Sequence, residues 1–370
     1  MTGAMGGSVG SDVPELADPD HLLRTRGVTR QVEGHVVGCA FSRDGTLVAF
    51  ATGDGEVHLA PVAADAEAWR MVAAHDGAVL SLAADTSLTG FLTGGDDNAL
   101  CRIDGVTGEI VSLAKGRRWV EHVTSFVDAK ARPGGNRSAG NGLIASASGK
   151  QVELRDGAGA LIKTLDHETT VSGIAFDAKG KRVAASHYNG ASLWFTGAKS
   201  DSARRLVWKG SHIGVALHPD GEALVTAMQE NELHGWRLPD GHNMRMSGYP
   251  QKTLSMGFSR TGRWLATSGA EMVVLWPFFG GGPMGKAPME LAGVPDSICV
   301  RVAFHPQHDI VAAGFADGTV LMSDVATRRV LPVCGPGRGA VSTLAFSPDG
   351  GRLAFGTETG LLAALDLAAR

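Results

Sequence analysis

The phrase Val-Val-Gly-Cys-Ala-Phe-Ser-Arg-Asp-Gly at 36–45 returns as Val-Ser-Thr-Leu-Ala-Phe-Ser-Pro-Asp-Gly at 341–350, with six degenerate copies between. Set on its aromatic residue or the equivalent, the phrase recurs at Phe41, Ala84, Phe126, Phe176, Leu217, Phe258, Phe304 and Phe346, spaced 41 to 50 residues apart. Such a chain has little freedom, because one short unit cannot bury its own apolar face and must stack on the next.

The last copy shows the grammar of a unit. An apolar run at 341–346 meets a Pro-Asp-Gly turn, a second run follows at 352–356, and a third at 361–365. A fourth strand lies in the weaker segment before the next copy, as in Trp69-Arg-Met-Val-Ala. Four short strands bounded by turn residues cannot stand alone, whereas radial stacking leaves only short, protected edges. The last copy ends after its third strand, and an orphan strand-like run at 27–32 precedes the first. The orphan fits the vacancy and would close the ring. The expectation is an all-β chain with a single β-propeller of eight four-stranded blades over 23–370, seven being the alternative, behind a flexible tail at 1–22.

The chain resembles WD40-repeat proteins over residues 24–370. The resemblance rests on Ala-Phe-Ser-Arg-Asp-Gly at 40–45, Phe-His-Pro at 304–306, Ser-Pro-Asp-Gly at 347–350, Gly-His at 34–35, and third strands ending in Trp194, Trp236 and Trp276. No copy carries Gly-His, the turn Asp and Trp-Asp together, so the hydrogen-bond network that the family implies is incomplete. Ser-His-Tyr-Asn-Gly at 186–190 and Gln-Glu-Asn-Glu-Leu-His-Gly-Trp at 229–236 further resemble a bacterial subgroup associated with CobW-type metal-handling GTPases. That resemblance implies a zinc-homeostasis setting.

Composition narrows the function. The net charge of −4 argues against a nucleic-acid surface, which needs a concentrated basic field, and Lys115, Arg117 and Arg118 form only a local basic group. No apolar span is long enough to cross a membrane. Cys39, Cys101, Cys299 and Cys334 lack C-x-x-C spacing, which favours a reduced, cytoplasmic protein. No nucleophile elbow, P-loop or metalloprotease helix is present, so an enzyme is not expected. Gly280-Gly-Gly-Pro-Met-Gly-Lys286 has the wrong spacing for a phosphate loop and reads as a solvated turn.

Alternation along each first strand predicts which side chains face the axis. One residue before the anchor, small residues line up, as expected where strands converge. Three before it Arg301 is the exception among Gly38, Ser81, Val123, Gly173, Gly214, Ser255 and Thr343. Five before it Glu121 and His212 stand among apolar neighbours. The reading is a channel mouth where Arg301, His212 and Glu121 converge, either as a structural pairing or as a clamp for an anion.

By the resemblance, turns between second and third strands share a face with the loops that enter each first strand. Blades four to six then present Tyr188, Asn189, Glu230, Asn231, Arg245, Tyr249 and Glu271 as partner-binding residues, since aromatic and Arg anchors dominate interfaces. Tyr249 takes the place of the Gly-His imidazole. His187, His212 and Glu230 are candidate ligands for a metal such as zinc. The expected function is a non-enzymatic interaction scaffold, likewise monomeric, that holds a protein or peptide. The alternative is a small-ligand or metal-associated propeller.

Overall fold

The structure is a computed structural model that describes residues 18–62, 65–128 and 142–368. Among these residues the strands form seven hydrogen-bonded sheets around one axis, six of four strands and one of six. The chain is a single all-β propeller. The innermost strands carry the eight anchors: Val36–Phe41, Val79–Ala84, His122–Val127, Val171–Phe176, the second half of Arg204–Leu217, Met256–Phe258, Cys299–Phe304 and Val341–Phe346. Neighbours in this order touch, and the last touches the first.

The expectation of eight separate blades is corrected here. Hydrogen bonding divides the strands into seven sheets, because the fourth and fifth repeats share one. Two strands of 14 residues cause the fusion. Arg182–Phe195 doubles back at Asn189 and Gly190, both at positive φ, and Arg204–Leu217 runs on from the outer edge of repeat four into the inner strand of repeat five. The halves of this sheet still pack face to face, through Leu193 and Leu206 on one side and Leu224 and Trp236 on the other.

Burial follows the strand pattern. The second strand of a repeat is sandwiched on both faces, so Leu47–Thr52 is buried throughout and Phe50, Phe91, Phe315 and Phe355 are fully enclosed. Each such aromatic contributes about 2 kcal/mol by leaving water. The core is layered, with each apolar cluster lying between consecutive repeats, as where Ala49, Leu59, Phe91 and Ile103 join repeats one and two.

Closure is as the orphan strand requires. Gly27–Gln31 pairs antiparallel with Leu361–Asp366, from Gly27 opposite Leu365 to Gln31 opposite Leu361. Of the expected tail at 1–22, residues 1–17 lie outside the described residues. Asp20 accepts the Gly335 N–H (2.7 Å) and pairs with Arg338 (2.7 Å), while the short helix His21–Arg26 buries Leu23 against Val333 and Leu361. Among the described residues no helix is long and apolar enough to cross a membrane.

Candidate functional site

Backbone bonds place entry loops and second-to-third-strand turns on one face. Gly53 donates to the His35 carbonyl, Ala74 to Gly55, Val171 to Gly149, and Gly337 to Asp317, each at 2.8 Å. Gly55 has φ +85, and a Cβ there would collide with the His75 and Gly77 carbonyls. The turn can approach the loop so closely only because that residue is glycine.

Beneath this face, three repeats hold their entry loop through a hydroxyl opposite the residue two before the anchor. In repeat two His75 bridges Thr93 (2.9 Å) and Asp97 (2.8 Å). In repeat five His212 Nδ1 meets Thr226 (2.7 Å), its Nε2 meets the Trp208 carbonyl (3.1 Å), and its ring lies beside Trp236. In repeat six Tyr249 replaces the imidazole. Trp276 donates its indole N–H to the Tyr249 oxygen (2.6 Å), Tyr249 donates to Thr267 (2.6 Å), and Thr267 donates to the Val274 carbonyl (3.0 Å).

Repeat four departs from the pattern. The hydroxyl position there, opposite Ile174, is Ala185. His167 still packs edge-on to Trp194, with ring centroids 4.7 Å apart, but its buried Nε2 has no partner. Burial holds the imidazoles of His167 and His212 down to about 4. Both rings are therefore neutral at pH 7.

The expected channel mouth does not assemble. A β-bulge interrupts the first strand between the positions five and three before the anchor, as between His212 and Gly214 or Cys299 and Arg301. The extra residue reverses the alternation. Val36, Val79, Val171, His212, Cys299 and Val341 accordingly turn into the packed interior. His212 is fully buried among its partners in repeat five, and Glu121 faces a groove beside Trp119 in repeat three. Arg301 remains alone on the inner ring of repeat seven, donating from Nε to the Ser342 carbonyl (2.5 Å) and from Nη1 to that of Val300 (2.9 Å).

The same position in other repeats explains this arginine. Ser81 accepts the Val123 N–H (3.0 Å), Ser255 that of Val302 (3.1 Å), and Thr343 that of Cys39 (2.8 Å). Each stitches its repeat to the next, as Arg301 does by donation. Arg43, not singled out from the sequence, performs a related bridge from the turn after the first anchor, donating to the Asp85 carbonyl (2.6 Å) and the Ser125 hydroxyl (2.6 Å).

The partner-binding candidates divide. Tyr188 is 55% exposed at the rim of a cleft of about 570 Å³ that also contains His167, His187, Trp194 and Val207. Asn189 and Asn231 occupy turn positions at positive φ, Asn231 donating to the Pro250 carbonyl (3.2 Å). Glu230 accepts the Ser211 N–H (3.1 Å), Glu271 is exposed, and Arg245 pairs with Glu232 at 2.6 Å. Tyr249 is the correction. At 9% exposure with its hydroxyl enclosed, it belongs to the core.

The metal candidates also separate. His187 holds the Tyr188 carbonyl and the Ser192 hydroxyl, His212 is enclosed, and Glu230 caps a backbone N–H. Among the described residues no group of three or more His, Cys, Asp or Glu is arranged to hold an ion. In the glycine-rich loop, Lys286 donates to the carbonyls of Gly282 (2.9 Å) and Phe279 and lies over the Phe279 ring. Carbonyls turned inward on a lysine are the reverse of a phosphate cradle. Sequence reasoning also passed over Trp119. In the sequence it adjoins the local basic group, and an aromatic next to two arginines is an interface signal.

A closed ring of antiparallel sheets, built on one repeated phrase and presenting loops on a shared face, is a repeat-type β-propeller. Residues 27–59 match the family model described as WD domain, G-beta repeat. The chain is 27% identical over 138 residues to WD repeat-containing protein 90 of Xenopus tropicalis, a match covering 37% of this chain and 7% of that protein. The matched repeat and this relative support a WD40-repeat β-propeller. The crystal structure of the computationally designed Ika8 protein is similar with a TM-score of 0.70, covering 91% of this chain and 98% of that one at 17% identity. That likeness concerns the fold alone.

Proposed function

We propose that the protein is a non-enzymatic interaction scaffold that holds a protein or peptide on the entry-loop face of repeats four to six. The observation that carries this reading is Tyr188, 55% exposed beside a cleft of about 570 Å³. Val207, 71% exposed, lines the same cleft. An aromatic ring and an apolar side chain left in water beside a concave surface are what a partner gains by covering. Asn189, Glu230, Asn231, Arg245 and Glu271 supply polar groups around it. A reducing cytoplasmic setting is part of the proposal, supported by four free cysteines.

The test is a photo-crosslinking amino acid at position 188, compared with one at Glu222 in the turn after the inner strand of repeat five. Adducts with a discrete protein from position 188 alone are expected. Equal adducts from both positions, or none from 188, would overturn the reading.

A further inference from the structure

The loop entering repeat three carries Arg117, Arg118 and Trp119, which with Asn98, Glu121 and Gly149 line a groove of about 360 Å³ on the entry-loop face. Trp119 is 57% exposed. The loop around it is nevertheless pinned. Gly116 donates to the Asn98 carbonyl (2.9 Å), Val120 to that of Gly95 (3.0 Å) and Glu121 to that of Ala147 (3.0 Å), while the Ser148 hydroxyl donates to the Arg118 carbonyl (3.1 Å). An indole held in water on a fixed backbone has already lost much of the freedom that binding would cost. Among the described residues Arg117, Arg118 and Lys115 form no ion pair. In a chain of net charge −4 this corner has the opposite sign.

We infer that this groove docks an acidic segment of a partner protein, seating an apolar side chain on Trp119 and carboxylates on Arg117 and Arg118. Guanidinium groups match carboxylates in bidentate geometry, and the indole offers a large apolar surface. Glu121 in the groove, with Asp96 and Asp97 next to Asn98, would repel a continuous phosphate backbone. Separate carboxylates on a flexible peptide can avoid them. The surface is separate from the cleft at Tyr188, so either can fail without the other.

The test selects a phage-displayed library of random dodecapeptides on the immobilised full chain, and the enriched peptides are then compared on the parent and Trp119→Ala chains. Enriched peptides are expected to carry several Asp or Glu around an aromatic or leucine. In calorimetry Trp119→Ala should raise Kd about tenfold or more, and Arg117→Ala and Arg118→Ala about threefold or more each, at unchanged melting temperature. The affinity should fall with added salt. Enrichment without acidic residues, or peptides that bind the Trp119→Ala chain equally well, would overturn the inference. So would tighter binding of an oligothymidylate than of any selected peptide, which would make the groove a stacking platform for single strands.

Discussion

The indole N–H of Trp276 ends on the hydroxyl oxygen of Tyr249, 2.6 Å away. This bond draws into the core a tyrosine that, from its place in a Ser-Gly-Tyr-Pro loop, reads as a surface anchor. Burial pushes its phenol up to about 12, so the hydroxyl stays protonated and keeps donating to Thr267.

Tyr249→Phe should therefore destabilise the protein by about 1–3 kcal/mol, since it strands the Trp276 donor in a dry site. Urea unfolding measures this. Tyr188→Ala, which removes an exposed ring, should stay within about 0.5 kcal/mol of the parent.

Repeat four offers the reverse experiment. His167 donates from Nδ1 to the Leu165 carbonyl (3.2 Å), leaving a lone pair on its unpartnered Nε2. Ala185→Ser would put a hydroxyl where repeats two, five and six have threonine. A gain of about 1 kcal/mol in urea unfolding is expected. A loss of similar size would show that the site has no room for the oxygen.

The two depressed imidazoles set an acid limit. With folded values of about 4 against an ordinary 6.5, the unfolded chain binds more protons between those limits. Stability from these groups is complete above pH 6.5 and declines as pH falls towards 4, with a slope of up to about 1.4 kcal/mol per pH unit per group. His212 faces His187, His234 and Glu230, and the two histidines oppose its protonation while Glu230 favours it. Unfolding free energies measured at pH 7, 5.5 and 4.5 should fall in that order, and less steeply in His212→Asn.

Arg301 is predicted to act on the ring itself. Arg301→Ala should lower stability by about 1–3 kcal/mol by freeing the Ser342 and Val300 carbonyls, with Arg301→Lys intermediate because it keeps a donor without the planar fork. Equal melting temperatures for all three proteins would show that the stitch contributes nothing.

Much of the architecture was legible because it depends on a period. The anchors from Phe41 to Phe346 all fall on innermost strands, and the run after Gly27 completes the last sheet. What escaped was local. The bulge before Gly214 or Arg301 leaves no mark in a hydropathy pattern, yet it sends His212 inward while Arg301 stays on the ring. The merged fourth and fifth repeats depend on a hairpin at Asn189 and on a strand that continues through Gly210 at φ +107, and both positions resemble ordinary turns in sequence. Tyr249 was placed correctly as the stand-in for an imidazole but assigned to the surface, because aromatic character alone does not distinguish an anchor for a partner from one for the chain.

The pairing of Gly27 with Leu365 also sets an order of events during synthesis. The ribosome makes the clasp strand early, and 338 residues (365 − 27) must follow before its partner exists. At about 5–20 residues per second, that is a wait of roughly 17 to 70 seconds. Throughout it Gly27–Gln31 and the unfinished ring both present unpaired backbone to solvent or to a chaperone. The nascent chain is thus most exposed to misassembly not while its repeats stack, but in the interval before the circle can shut.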